Sequence, residues 1–265
     1  MNYKLMAVDI DGTLLNDEGK ITHATLDAIK KAVEQGLVFT IASGRPIQGI
    51  EYLNNILGLD APFITYNGAR IIKSKSKEVI FEQKLSYENA KKILSLGEKN
   101  NVTMMVWNDD KLYVNKLNER VKKYITITMV TPILLNSDEP IKNGVTKILW
   151  YDDVQKIKEH VIKVKETLGD KINYHTSLPF FLEFNDINAS KALALQKIGE
   201  HYGIKQSEII AVGDGFNDLS MIEYAGLGVA MGNAVEAIKS KADYITLSNN
   251  EDGIAHVINK FIFEK

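Results

Sequence analysis

"MAVDIDGTLLN", residues 6–16, places two carboxylates, Asp9 and Asp11, one residue apart at the end of an apolar run. Leu5 to Val8 reads as a buried strand, and Gly12 and Thr13 follow the acidic pair at once. Like charges this close repel. The pair is tolerable at a solvated turn, or where the two groups hold different protonation states, and a bound cation would lower the repulsion. The rest of the chain decides between these.

Working outward from that strand, the first stretch alternates strand and helix patterns. A helix is predicted over Thr22 to Gln35, with Ala28, Ile29, Ala32 and Val33 as its apolar stripe and Gly36 as its stop. Leu37 to Ala42 reads as a second strand. Ser43-Gly44-Arg45-Pro46 is expected to open another helix, since Pro46 suits a first turn. Phe63 to Tyr66 reads as a third strand, ending at Asn67-Gly68. The same rhythm returns after residue 190. Helices are predicted over Ser190 to Tyr202, Asn217 to Tyr224, Ala234 to Lys241 and Gly253 to Phe263. The strands between them are Glu208 to Val212, Gly228 to Met231 and Tyr244 to Leu247. Strands alternating with helices imply an α/β fold whose parallel sheet is covered on both faces.

The middle follows a different pattern. Thr103 to Trp107 and Lys111 to Lys116 are strand-like and meet across Asn108-Asp109-Asp110, a hairpin signal. Val145 to Tyr151 and Phe180 to Phe184 read as further strands, and Ser86 to Lys99 and Val154 to Leu168 as helices. Hairpins with two helices point to a separate α+β unit inserted into the α/β frame. The expected division is a discontinuous core of residues 1–82 and 187–265, with an insert of residues 83–186. Lys73 to Lys77 reads as a solvated, charged turn. Trp107 and Trp150 are expected in the insert's core.

Composition narrows the class of protein. The chain has 265 residues, 45% hydrophobic and 25% charged, with a net charge of -2, so no nucleic-acid partner is expected. Without cysteine there is no disulfide, thiolate zinc site or cysteine nucleophile. The apolar run at the start is too short for a signal peptide or a membrane span, so no membrane partner and a cytoplasmic location are expected. The histidines, at 23, 160, 175, 201 and 256, lack ligand spacing.

Four polar clusters fall at strand ends or at the helix starts beside them, where ligands bind in open parallel sheets. They are Asp9-Ile10-Asp11-Gly12-Thr13, Ser43-Gly44-Arg45, Ser190-Lys191 and Gly213-Asp214-Gly215-Phe216-Asn217-Asp218. Each alone is weak, and Asp-x-Asp also serves metal binding in glycosyltransferases, although nothing else here reads as a nucleotide-sugar site. In this order, the four resemble the motifs of the haloacid dehalogenase (HAD) superfamily of phosphotransferases. The first and last motifs, with Asn67-Gly68, resemble its Cof-like phosphatase branch. The likeness extends over essentially the whole chain, with one departure: Lys191-Ala192 stands where the branch often has Lys-Gly.

The resemblance implies a Rossmann-like core with an inserted C2B-type cap, and a Mg2+-dependent phosphatase acting on small phosphorylated metabolites such as sugar phosphates. Asp9 would be the nucleophile forming an aspartyl-phosphate, and Asp11 the acid that protonates the leaving oxygen and then activates water. Mg2+ would be held by Asp9, Asp214 and the main-chain carbonyl of Asp11. Ile10, Ser43, Gly44, Lys191 and Asn217 would bind the phosphoryl group, and Asp218 would hold a metal-bound water or orient Lys191. Capping of the following helix is a rival role for Asn217 and Asp218. Arg45 is read either as a contact to substrate or insert, or as a surface ion pair, and Thr13 as satisfying a turn amide. Arg45, Asn67, Glu183 and the loop from His175 to Pro179 are candidates for specificity. A sugar phosphomutase and a non-catalytic phospho-ligand sensor remain as alternatives. The protein is expected to be a monomer or a homodimer.

Overall fold

The computed structural model describes residues 2–169 and 172–264. The chain forms two compact units, one of Met1–Arg45, Glu51–Phe81 and Ser190–Lys265, the other of Pro46–Ile50 and Glu82–Ala189.

The first unit begins with β1 (Leu5–Val8), α1 (His23–Glu34), β2 (Val38–Ala42), α2 (Glu51–Leu57), β3 (Pro62–Thr65), β4 (Arg70–Lys73) and β5 (Val79–Glu82). All four residues of β1 are buried, as a strand covered on both faces requires. The helix expected at Ser43 is displaced. Pro46 is extended (φ -68°, ψ 163°) and leads into a 3-10 turn, Ile47–Gly49, before α2 starts at Glu51. Proline also disfavours helical backbone in the residue before it, which keeps Arg45 out of a helix. The Lys73 to Lys77 turn joins β4 to β5, two strands too short to register in the pattern.

The second unit comprises α3 (Tyr87–Lys99), β6 (Thr103–Asn108), β7 (Lys111–Val114), α4 (Glu119–Thr128), β8 (Ile133–Leu134), β9 (Lys147–Tyr151), α5 (Val154–Leu168), β10 (Ile172–Thr176) and β11 (Phe181–Asp186). Its sheet runs β10-β11-β9-β6-β7-β8, antiparallel except where β8 joins β7. One face forms a core with α3 and α5, in which Ile93, Val106, Ile148, Trp150, Val164 and Phe184 are buried. Period-2 alternation puts Lys147, Leu149 and Tyr151 on the opposite face, with Glu183 paired to Leu149 in register. There Trp107 donates from Nε1 to the Tyr124 hydroxyl of α4 at 2.9 Å. Helix α4 is the third where two were expected. Its Ile-Thr-Ile-Thr end reads as strand, but Asn118 caps its start by accepting from the Val121 amide.

The chain then returns to the first unit through α6 (Lys191–Tyr202), β12 (Ile209–Gly213), α7 (Leu219–Tyr224), β13 (Leu227–Ala230), α8 (Glu236–Lys239), β14 (Tyr244–Ile245) and α9 (Gly253–Ile258). The eight strands are ordered β14-β13-β12-β1-β2-β3-β4-β5, parallel from β14 to β3, with β4 antiparallel to β3. Leu5 and Ala7 of β1 pack with Ala194, Leu195 and Ile198 of α6. Among the described residues no helix is long and apolar enough to cross a membrane.

A tight turn after β3 brings Asn67-Gly68 against the start of α6. Gly68 has φ +96°, and a Cβ there would lie 2.1 Å from the Ser190 carbonyl oxygen. Gly68→Ala should therefore cost about 2–4 kcal/mol through backbone strain and overpacking, read as a fall in the thermal midpoint.

In the second unit Lys147 and Glu183 form a buried pair at 3.0 Å. Burial alone would raise the Glu183 carboxyl, but Lys147, His175 and Ser177 outweigh it and hold it below the ordinary glutamate value. Lys147→Met leaves a buried carboxylate without its cation and should cost about 3–5 kcal/mol. Because the folded value is depressed, the pair's contribution is present above pH 4.5 and is lost on acidification through that lower value. Denaturant titration at pH 7 and below pH 4 measures both effects.

Candidate active site

β1 lies between β2 and β12, so the chain leaves its carboxyl end beside two strands that continue in opposite directions along the sheet. Such a reversal opens a crevice at the strand ends. Asp9 follows β1, Ser43 follows β2, and Asp214 follows β12. α6 contributes its first residue, Lys191, with the Ser190 hydroxyl accepting from the Leu193 amide as cap.

Lys191 organises the site. Its Nζ donates to Asp9 Oδ1 at 2.6 Å, to Asp218 Oδ1 at 2.5 Å and to the Ala42 carbonyl at 2.8 Å. The side chain has no solvent exposure, and its three acceptors match the three donors of an ammonium. The second oxygen of Asp218 accepts from the amides of Asp214 (3.1 Å) and Gly215 (2.9 Å). That carboxylate therefore shapes its own loop, and its side chain does not cap α7.

Asp214 receives the Thr13 hydroxyl at 2.8 Å. Thr13 was expected only to satisfy a turn amide. It serves instead as a link between the first and last motifs, made by the fold across a separation of 201 positions. Gly12 permits this approach, since it has φ +78° and a Cβ there would sit 2.5 Å from Asp214 Oδ2.

Asp11 has a different environment. Its side chain is 61% exposed and is gripped by Arg45, from Nε at 3.1 Å and from a terminal nitrogen at 2.6 Å. Of the readings open for Arg45, the structure shows this ion pair. Ser43 is buried, its hydroxyl accepting from the Arg45 amide at 3.1 Å, while the Asn67 amide donates to the Ser43 carbonyl at 2.9 Å. Gly44 lies against the Asn67 side chain, and Ile10 is fully buried. Asn217 is exposed on the turn after β12, beside Phe216.

Asp9, Asp214 and Asp218 each offer a carboxylate oxygen, all within 4.8 Å of one another, a spacing that could hold a metal ion. This set has Asp218 where the sequence reading had the Asp11 carbonyl. Three carboxylates face one ammonium. Burial, aided by the Asp218 and Asp214 charges and opposed by Lys191, pushes the Asp9 carboxyl up to about 8. Burial also raises Asp214, against the Thr13 hydrogen bond. For Lys191, burial would lower the ammonium, but Asp218 and Asp9 outweigh it and hold it above the ordinary lysine value.

The family profile of haloacid dehalogenase-like hydrolases matches residues 6–258. The chain belongs to this family. A solved haloacid dehalogenase-like hydrolase from Bacteroides thetaiotaomicron is 35% identical, with a TM-score of 0.87, and the match covers 98% of this chain and 100% of that one. The structure of a HAD subclass IIB sugar phosphatase is 30% identical with a TM-score of 0.82, covering 97% of this chain and 98% of the other. The 5-amino-6-(5-phospho-D-ribitylamino)uracil phosphatase YcsE of Bacillus subtilis is 33% identical, over 99% of this chain and 97% of its own length. The protein is a HAD-type phosphatase, a phosphoric monoester hydrolase, of the Cof-like branch.

In this HAD fold the raised Asp9 makes stability depend on pH in a defined direction. Between pH 3.8 and about 8 the native state holds a proton that the unfolded chain releases. The cation-free protein should accordingly lose stability as pH rises through that window. A divalent cation held by these carboxylates would compete with the same proton, so any rise in thermal midpoint on adding Mg2+ should be larger at pH 8 than at pH 6. Thermal scans in chelator and in Mg2+ at the two pH values check both signs.

Proposed function

We propose that this protein is a Mg2+-dependent phosphatase that hydrolyses small phosphorylated metabolites, sugar phosphates foremost, through an aspartyl-phosphate on Asp9. The observation that carries the reading is Asp9 at the end of β1, hydrogen-bonded to buried Lys191, with Asp214 and Asp218 beside it. The donor set fits a hard divalent ion: only oxygen ligands, and three carboxylates against one ammonium. Asp9, Asp214 and the Asp11 carbonyl would hold Mg2+, which would neutralise charge on the phosphoryl oxygens. Asp218, whose oxygens already accept from Lys191 and two amides, would stand beside the ion and orient Lys191.

Asp9, once ionised, attacks phosphorus in line with the ester oxygen, and the P–O bond to the leaving group breaks. Asp11 donates its proton to that oxygen. It then takes a proton from water as the water attacks the phosphorus of the aspartyl-phosphate, releasing inorganic phosphate and restoring Asp9. Lys191 stabilises negative charge on Asp9 and on the phosphoryl group. Ser43 and the amides of Ile10 and Gly44 would bind phosphoryl oxygens, and Asn217 would donate to the same group. Protonation of Asp11 would reduce its ion pair with Arg45 to a weaker hydrogen bond. A phosphate dianion is a natural competitor for the Arg45 guanidinium.

Residues 83–186 would form the inserted cap that sets specificity, with Glu183 and the His175 to Pro179 loop as candidate contacts. Relatives named for a sugar phosphate and for a phosphorylated ribityl compound support phosphorylated sugars and polyols as the substrate class.

The test is phosphate release from a panel of phosphorylated metabolites, with Mg2+ and with chelator. Asp9→Asn should lower kcat by about a thousandfold or more. Asp11→Asn should lower it by about 10²- to 10⁴-fold while still permitting cation binding. Release that persists in chelator, or in Asp9→Asn, would overturn the mechanism.

A further inference from the structure

The turn that carries Asp11 is held from outside the four motifs. Asn233 follows β13, two strands away from β1 in the sheet, with β12 between them. Its carboxamide faces two ways. Nδ2 donates to the Gly12 carbonyl at 2.8 Å, and Oδ1 accepts from the Asn249 amide at 3.0 Å. Asn249 in turn donates from its own Nδ2 to the Leu15 carbonyl at 3.1 Å and to Asp17 at 3.0 Å. Asp17 is tied a second time, its amide donating to Asn250 Oδ1 and its carboxylate accepting from Asn250 Nδ2. Three asparagines thus hold the segment 12–17, which leaves the carboxyl end of β1.

The contact at Gly12 matters most. Its carbonyl belongs to the peptide plane that leads into Thr13, whose hydroxyl reaches Asp214. The preceding plane carries the Asp11 carbonyl. Because Gly12 sits at φ +78°, a conformation that glycine does not enforce by itself, the relation between these planes needs an external restraint. Water could satisfy the exposed Gly12 carbonyl equally well, but a free water would not fix its direction. An asparagine tied at its other end does.

We propose that Asn233 is a positioning residue for phosphoryl transfer, clamping the Gly12 carbonyl so that the Asp11 backbone and the Thr13–Asp214 link keep their geometry. The proposal rests on the phosphatase reading of the same site. It predicts that the donor end of the carboxamide, not the residue's bulk or its bond to Asn249, carries the effect.

Two variants separate these roles. Asn233→Asp keeps the size and an acceptor for the Asn249 amide but has no donor for Gly12. Asn233→Leu keeps comparable bulk and has neither. Both should lower kcat by about tenfold or more, since small misplacements of reacting groups carry penalties of that order, with KM within about threefold. Thermal midpoints should stay within a few degrees of wild type. Mn2+ titration of Asn233→Leu should show affinity weakened several-fold. Wild-type kcat in Asn233→Asp would overturn the proposal, because the residue would then serve only the Asn249 amide. Unchanged Mn2+ affinity together with unchanged kcat in Asn233→Leu would also overturn it. If wild type binds Mn2+ yet hydrolyses no ester, the phosphatase mechanism fails. The Mn2+ affinity of Asn233→Leu then decides Asn233 alone, with several-fold weakening supporting the clamp and unchanged affinity overturning it.

Discussion

The ammonium of Lys191 is the constraint on which the first unit depends. A buried cation is tolerable only when its donors are all used, and here three acceptors come from three different segments: Asp9 after β1, the Ala42 carbonyl in β2 and Asp218 after β12. The lysine in turn stands where it does because Ser190 caps α6 and Gly68 lets the turn after β3 approach the start of that helix. One side chain thereby ties the ends of two neighbouring strands and the loop beyond a third to the helix that packs beneath them.

The same arrangement answers why a buried strand ends in two carboxylates. Asp9 and Asp11 flank a single residue, but the chain turns after β1 and sends them into opposite surroundings. Asp9 is drawn into the crevice, where burial and two neighbouring carboxylates favour its neutral form when no divalent cation is present. Asp11 turns outward to Arg45. Groups of one chemical type thus meet different environments, one buried beside Lys191 and the other exposed beside Arg45.

The second unit follows a different logic. Its sheet has one apolar face sealed by α3 and α5, while the opposite face contains a buried lysine–glutamate pair. A buried pair adds little net stability relative to apolar residues of similar volume, although removing one partner is expensive.

Much of this protein was legible in its sequence because the signals are local. The period of each long helix, the all-apolar β1, the acidic turns after strands and the serine that caps α6 depend on neighbours within a few residues. The α/β frame follows from them. Several short elements were not legible: β4, β5, β8 and β10 are strands of two to five residues, and α4 ends in β-branched residues whose helical state depends on capping and on packing at Tyr124. Nor were the contacts made across the sheet. Thr13 on Asp214, Arg45 on Asp11 and Asn233 on Gly12 join residues separated by 201, 34 and 221 positions. Residue types and local spacing determined which groups were available for chemistry. Only the closing of the parallel sheet decided which of them meet, because hydrogen bonds act over about 3 Å and sequence separation carries no information about that distance.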